Sequence, residues 1–264
     1  MLIEIIGCTG AGKTTLIRRI LHNCQKQGID VSRGDDIVLK KFRLHWFKSQ
    51  LPRALMVNVL ALFACLITWR NNHKLYLFAT RFLLKLPIAR VEKIGVLRNV
   101  LKKIGIYEII RSRDTDRRII LMDEGTLHIA HNLFVHDSIQ VTTEHLERFV
   151  KMIPFPDVFV YLRQPESLLI ERTMKRGHKR ISDRSYDNVV HFIKQAVTTF
   201  DKLVQYPEVE NRLLLVNGGQ QVTIAAHGQN NPFIIPALKI VQSGINEKIY
   251  EPPRVGTKST ATGF

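Results

Sequence analysis

The chain has 264 residues, 45% of them hydrophobic, enough to bury one substantial core and better suited to a single α/β domain with insertions than to two independent units. Its three cysteines, Cys8, Cys24 and Cys65, lack metal-ligand or C-x-x-C spacing and read as reduced thiols of a cytosolic protein rather than a disulfide framework. The net charge of +16 is local: residues 37–118 carry 18 Lys and Arg against four acids and supply +14 of it, which points to anionic company (nucleic acid, a phosphorylated substrate or an acidic membrane surface) or to a solvated basic face.

In chain order, Leu2-Ile3-Glu4-Ile5-Ile6 is an apolar, β-branched run that reads as a strand. It breaks into Gly7-Cys8-Thr9-Gly10-Ala11-Gly12-Lys13-Thr14-Thr15, a complete match to G-x-x-x-x-G-K-[ST]. Glycines there let several backbone N–H groups of residues 7–15 face one anion, and a following helix adds its positive end. Leu16, Ile17, Ile20 and Leu21 at helical spacing supply that helix. Lys13 is placed to bridge the β- and γ-phosphates of a nucleotide, and the Thr14 hydroxyl to meet its Mg²⁺. The apolar start is only a few residues long and carries no secretory signal, so a cytoplasmic location is expected.

Gly28 ends the first helix and Ile29-Asp30-Val31 reads as a second strand. Asp35 and Asp36 follow it, where an acceptor hydroxyl could be held and deprotonated, or where an Asx turn would cap the next helix. Asp36 is the choice for the acceptor contact or base. Residues 40–112 are helical in pattern, a basic insertion on the acceptor side of the fold. Ala54 to Trp69 is a 16-residue uncharged run between Arg53 and Arg70, short of the ~20 residues that span a bilayer. It fits a buried or dimer-contact helix, or one lying on anionic headgroups, since Leu75–Ala79 and Phe82–Leu84 follow with Arg81 and Lys85 among them. Pro87 ends that region, and a further helix is expected over Val91–Leu101.

Arg117 to Asp123 reads as the third strand, and an acid at its end matches the position that anchors Mg²⁺, here Asp123. Glu124-Gly125 opens a loop toward a helix from Ile129, and His128, His131 and His136 have no zinc-ligand spacing. Pro156 to Leu162 is the fourth strand. Next come Tyr161-Leu162-x-x-Pro165-Glu166, Glu171-Arg172, Lys175-Arg176-Gly177-His178-Lys179-Arg180, and an amphipathic helix from Tyr186 to about Val204. Arg212 to Val216 is a fifth strand ending in Asn217-Gly218-Gly219, and a closing helix is expected over Pro236–Ser243. The segment 246–264 reads as a tail whose end has no apolar face to dock.

The stretch from Tyr161 to Arg180 resembles the lid region of the thymidylate kinase and deoxynucleoside kinase families. The resemblance covers residues 1–40 and 117–245, and it implies a P-loop NTPase fold: three layers around a five-stranded parallel sheet of order 2-3-1-4-5, in one domain over 1–245. The helical insertion falls between strands two and three and the lid over 172–186. By the same resemblance, Arg172 and Arg176 swing over the ATP phosphates, with Arg180 and Arg184 as extras, and Asn217-Gly218-Gly219 lies near the adenine. Arginine suits that work because its planar fork holds phosphate oxygens. The families follow the third-strand acid with Arg where this chain has Glu124, which puts thymidylate itself in doubt as the acceptor. The implied activity is ATP-dependent phosphoryl transfer to a small hydroxylated acceptor. Its rival is a P-loop ATPase in which Asp123-Glu124 serves hydrolysis, at a membrane surface or with a partner. Nucleic-acid binding rests on charge alone, without a helix-turn-helix, zinc or aromatic-platform pattern.

Overall fold

The computed structural model describes residues 1–44, 46, 49–112, 118–136, 141–177, 181, 185–218 and 220–246. All five residues of β1 (Leu2–Ile6) are buried, as suits the centre of a parallel sheet. β1 pairs in parallel with β3 (Ile119–Asp123) on one side and β4 (Val158–Arg163) on the other. β2 (Val31–Arg33) joins β3 and β5 (Leu213–Asn217) joins β4, also in parallel, completing the order 2-3-1-4-5.

The sheet has a sixth strand beyond the five expected. β6 (Gln221–Ile224) runs antiparallel to β5, with Asn217 opposite Gln221. The Gln220 N–H donates to Asn217 O at 3.1 Å across the turn, and Gly218, left-handed at φ 57, folds back a chain that reads as an open loop in sequence. β2 begins at Val31, later than expected, because the Ile29 N–H is held by Cys24 O at 2.9 Å in closing α1 (Lys13–Lys26).

Among the described residues, four helices lie between β2 and β3: α2 (Gly34–Lys41), α3 (Gln50–Ile67), α4 (Trp69–Lys85) and α5 (Arg90–Arg111). The uncharged run divides at Thr68, whose N–H and Oγ1 both donate to Ala64 O, at 2.9 and 2.8 Å, and so end α3. α5 continues past its expected end at Leu101. Gly105 weakens the helical pattern but is needed for packing: a Cβ there would lie 2.0 Å from Ala61 O, so only glycine lets α3 and α5 cross so closely.

After β3 come α6 (Ile129–Phe134) and α7 (Thr143–Val150), the latter capped by Thr142 Oγ1 accepting from His145 N. α8 (Glu166–Arg176), α9 (Tyr186–Leu203) and α10 (Pro207–Glu210) follow β4, and α11 (Ile234–Asn246) packs on α1. Along β3, Ile120 and Met122 enter a cluster with Ile37 and Val38 of α2 and Ile106 and Ile110 of α5, while Leu121 enters the larger core. Both faces are therefore covered, in three layers. The carboxyl ends of β1, β2 and β3 meet at one edge, where open α/β sheets hold ligands.

Candidate active site

The loop between β1 and α1 has the backbone its glycines predict. Gly7, Gly10 and Gly12 take φ of 146°, 83° and 97°, values that side-chain-bearing residues rarely adopt. Gly10 also lies against α8, where an added Cβ would be 3.3 Å from Arg172 Cβ. Ala11 is buried and donates its N–H to Cys8 O at 3.2 Å, whereas Thr14 and Thr15 are exposed on the first turn of α1. Lys13 is buried, and its Nζ donates to Gly7 O at 2.9 Å and Cys8 O at 3.2 Å, so the ammonium lies across the loop mouth.

Pairing of Ile5 with Asp123 brings the end of β3 beside the loop. Thr14 Oγ1 donates to Asp123 Oδ2 at 3.1 Å. Asp123 Oδ1 is buried and has no hydrogen-bond partner among the described residues. Burial and then the neighbouring Glu124 push this carboxyl up. A buried carboxylate oxygen without a donor, next to a hydroxyl oxygen, fits a hard divalent cation that takes few protein oxygens. Thr14 and Asp123 are thus the residues able to hold Mg²⁺.

Glu124 departs from an ordinary strand end. Its φ of 62° is left-handed, and its carboxylate lies 3.4 Å from Lys13 Nζ, 3.7 Å from Lys103 Nζ and 3.5 Å from His128 Nε2. Lys103 Nζ also donates to its carbonyl at 2.5 Å. His128, Lys103 and Lys13 together hold the Glu124 carboxyl far below the usual carboxylate range. Burial drives the His128 imidazole itself down, opposed by Glu124. Burial pushes Lys103 down as well, opposed by Glu124 and Glu4.

Beneath this cluster, Glu4 of β1 is fully buried and accepts from the backbone N–H groups of Thr126, Leu127 and His128 at 2.8, 3.0 and 3.2 Å, and from Thr126 Oγ1 at 3.1 Å. It pins the loop after Glu124 to the central strand. Burial lifts its carboxyl to about 7 against the pull of those donors. The sequence signal was present: an acid in the middle of a five-residue apolar strand has to find donors inside.

A cavity of about 230 Å³ opens beside Asp123 and Glu124, walled by Arg33 and Asp35 at the end of β2 and by Asn99, Lys102, Lys103 and Ile106 of α5. Asp35 lines it. Asp36, the sequence choice, instead forms an ion pair with Arg53 of α3, one helical position round from the cavity. The α5 residues escaped the sequence reading because a basic run hides them, although 99, 102, 103 and 106 have the spacing of one helix face.

Arg172 Nη1 donates to Gly10 O at 2.9 Å, so α8 braces the phosphate loop directly. Arg176 is exposed in the last turn of α8. Arg180, Arg184 and Gly219 lie outside the described residues, as does the tail from 247 to 264.

No protein-family model matches this chain, and no curated protein matches it. Among solved structures, it is similar to shikimate kinase from Bacteroides thetaiotaomicron (14% identity, 92% of this chain and 94% of that one, TM-score 0.37). It is also similar to shikimate kinase from Acinetobacter baumannii in complex with shikimate (13%, 90% and 93%, 0.37) and to deoxyadenosine kinase from M. mycoides with bound dCTP (15%, 90% and 99%, 0.38). Likeness at this level carries no argument about chemistry, which has to come from the chain's own side chains.

Proposed function

We propose that this protein is a P-loop phosphotransferase that moves the terminal phosphoryl group of ATP, bound with Mg²⁺, to a hydroxyl of a small polar acceptor. The observation that carries the reading is that Asp123 and Glu124 belong at once to the mouth of the phosphate loop and to the wall of a separate polar cavity. Donor and acceptor sites therefore share one wall, as in-line transfer requires. Bound Mg²⁺ would supply charge neutralisation on the phosphate oxygens, held by Thr14 and Asp123. Lys13 would exchange its carbonyl partners for phosphate oxygens. Arg172 would add charge from the lid side, joined by Arg176. In the cavity, Asp35 is the carboxylate placed to take the acceptor proton, with Arg33, Asn99 and Lys102 as orienting donors.

Hydrolysis directed by Glu124 fits less well. A carboxylate held far below its ordinary pKa by three neighbours is a weak base toward water. The experiment is acceptor-dependent ADP release across nucleosides, nucleotides, sugars and lipid headgroups. Turnover is expected only with acceptor, and Asp35→Asn should lower kcat by about 10²–10⁴ while Asp36→Asn leaves most of it. ADP release at the same rate with no acceptor present would sink the transferase reading.

A further inference from the structure

The insertion that walls the cavity turns a second, unrelated face to solvent. Helix α3 is clasped to α5 along Val57, Ala61 and Cys65: all three are buried, the Ala61 backbone abuts Gly105, and Cys65 Sγ donates to Leu101 O at 2.8 Å. The opposite stripe, Leu51, Leu55, Val59, Phe63 and Ile67, recurs every four residues and is 53–83% exposed. Only 22% of this helix is buried, so it is not the core helix its composition would suit. A contiguous apolar stripe of this length on a surface marks an interaction site.

Charge identifies what covers it. No Asp or Glu occurs between Asp36 and Glu92, while ten Lys and Arg do. On α4, Arg70, Lys74, Arg81 and Lys85 are exposed, interleaved with exposed Leu77 and Leu84. A second copy of a chain of net charge +16 would bring two such acid-free segments together, which like-charge repulsion opposes. An apolar stripe flanked by cations complements a bilayer with anionic headgroups. Spanning is disfavoured: 18 residues reach ~27 Å at 1.5 Å each, short of the ~30 Å hydrocarbon core, and α3 would have to leave α5.

We infer that α3, with the basic face of α4, is a docking surface for an anionic lipid bilayer, on which α3 lies in the plane of the headgroups with its leucine and phenylalanine side chains inserted. The test is co-sedimentation of the full chain with phosphatidylcholine vesicles, with and without phosphatidylglycerol. Two variants accompany it: Leu55→Asp/Phe63→Asp, and Arg70→Glu/Lys74→Glu/Arg81→Glu. Binding is expected only to the anionic vesicles and to fall at least tenfold in each variant and in 0.5 M salt. Unchanged circular dichroism and ATP binding would show that both variants fold, since every altered side chain is exposed. Equal binding to neutral vesicles, no binding to any, or retention by the apolar variant would overturn the inference. So would a dimer in vesicle-free solution that Leu55→Asp/Phe63→Asp dissociates, or resistance to carbonate extraction, which means a spanning anchor.

Discussion

At the scale of single residues, one buried carboxylate ties the central strand to the edge that carries Glu124, and its protonation reports on that tie. Burial raises Glu4 from 4.5 to about 7. An acid whose pKa rises on folding binds more protons folded than unfolded between those values. Its contribution to stability is therefore full below 4.5 and lost as pH climbs toward 7, by up to about 3 kcal/mol at 1.36 kcal/mol per unit. Glu4→Gln cannot titrate, so its unfolding free energy, measured by urea between pH 5 and pH 7.5, should fall less steeply with pH than that of the wild type. Equal slopes would mean that the carboxylate is already ionised when folded, carried by its four donors. That Lys13, Thr14 and Asp123 come together was legible in the sequence, because the loop motif sets the spacing of the first two and an acid ending an apolar strand marks the third. Asp35 and Asp36 were not separable in that way: adjacent positions at the start of a helix point about 100° apart, and which one faces the cavity depends on Arg53, a partner 17 residues on.

At the scale of elements, the strands and the phosphate-loop helix could be read because their periodicity is local. The length of α5 and the existence of β6 could not, since each depends on a partner far along the chain or on turn geometry. Two glycines of α5 show the distinction and can be tested together. A methyl group added at Gly95 would meet nothing within 4 Å among the described residues, so Gly95→Ala should raise stability by about 0.5–1 kcal/mol through helix propensity alone. Gly105→Val meets the Ala61 backbone, which cannot swing aside as a side chain would, and should cost about 2 kcal/mol or more. Chemical denaturation of both variants decides it; a neutral Gly105→Val would mean that α3 and α5 separate easily. For α8, whose Arg172 already braces Gly10, Arg172→Ala is expected to lower kcat by about 10²-fold with KM for ATP changed far less, the pattern of an interaction strengthened in the transition state. A raised KM at constant kcat would make the arginine a ground-state clamp.

For the whole molecule, ligand binding and folding are one equilibrium. The phosphate loop joins β1 to α1, and Asp123 and Glu124 carry the adjacent strand β3 into the same site, so a ligand held there ties together elements that unfolding must separate. A nucleotide that binds only the folded chain stabilises it by RT ln(1 + [L]/Kd), about 2.7 kcal/mol at one hundred times Kd. For a chain of this size each kcal/mol moves Tm by roughly 2–4 °C, so ATP with Mg²⁺ at that level should raise it by about 5–10 °C. Lys13→Ala removes the cation at the loop mouth and should abolish most of the shift. Without ligand its Tm should fall only modestly, because Lys13 donates in the free protein to carbonyls beside solvent-accessible Thr14. A thermal scan of both proteins, with ATP, with ATP and Mg²⁺, and with ATP and excess chelator, separates the contributions: the metal's share should vanish in chelator and also in Asp123→Asn, since Asp123 Oδ1, without a partner among the described residues, is the oxygen expected to face it. A full shift that persists in Lys13→Ala would place the nucleotide elsewhere on the molecule and dissolve the shared wall on which the transferase reading depends.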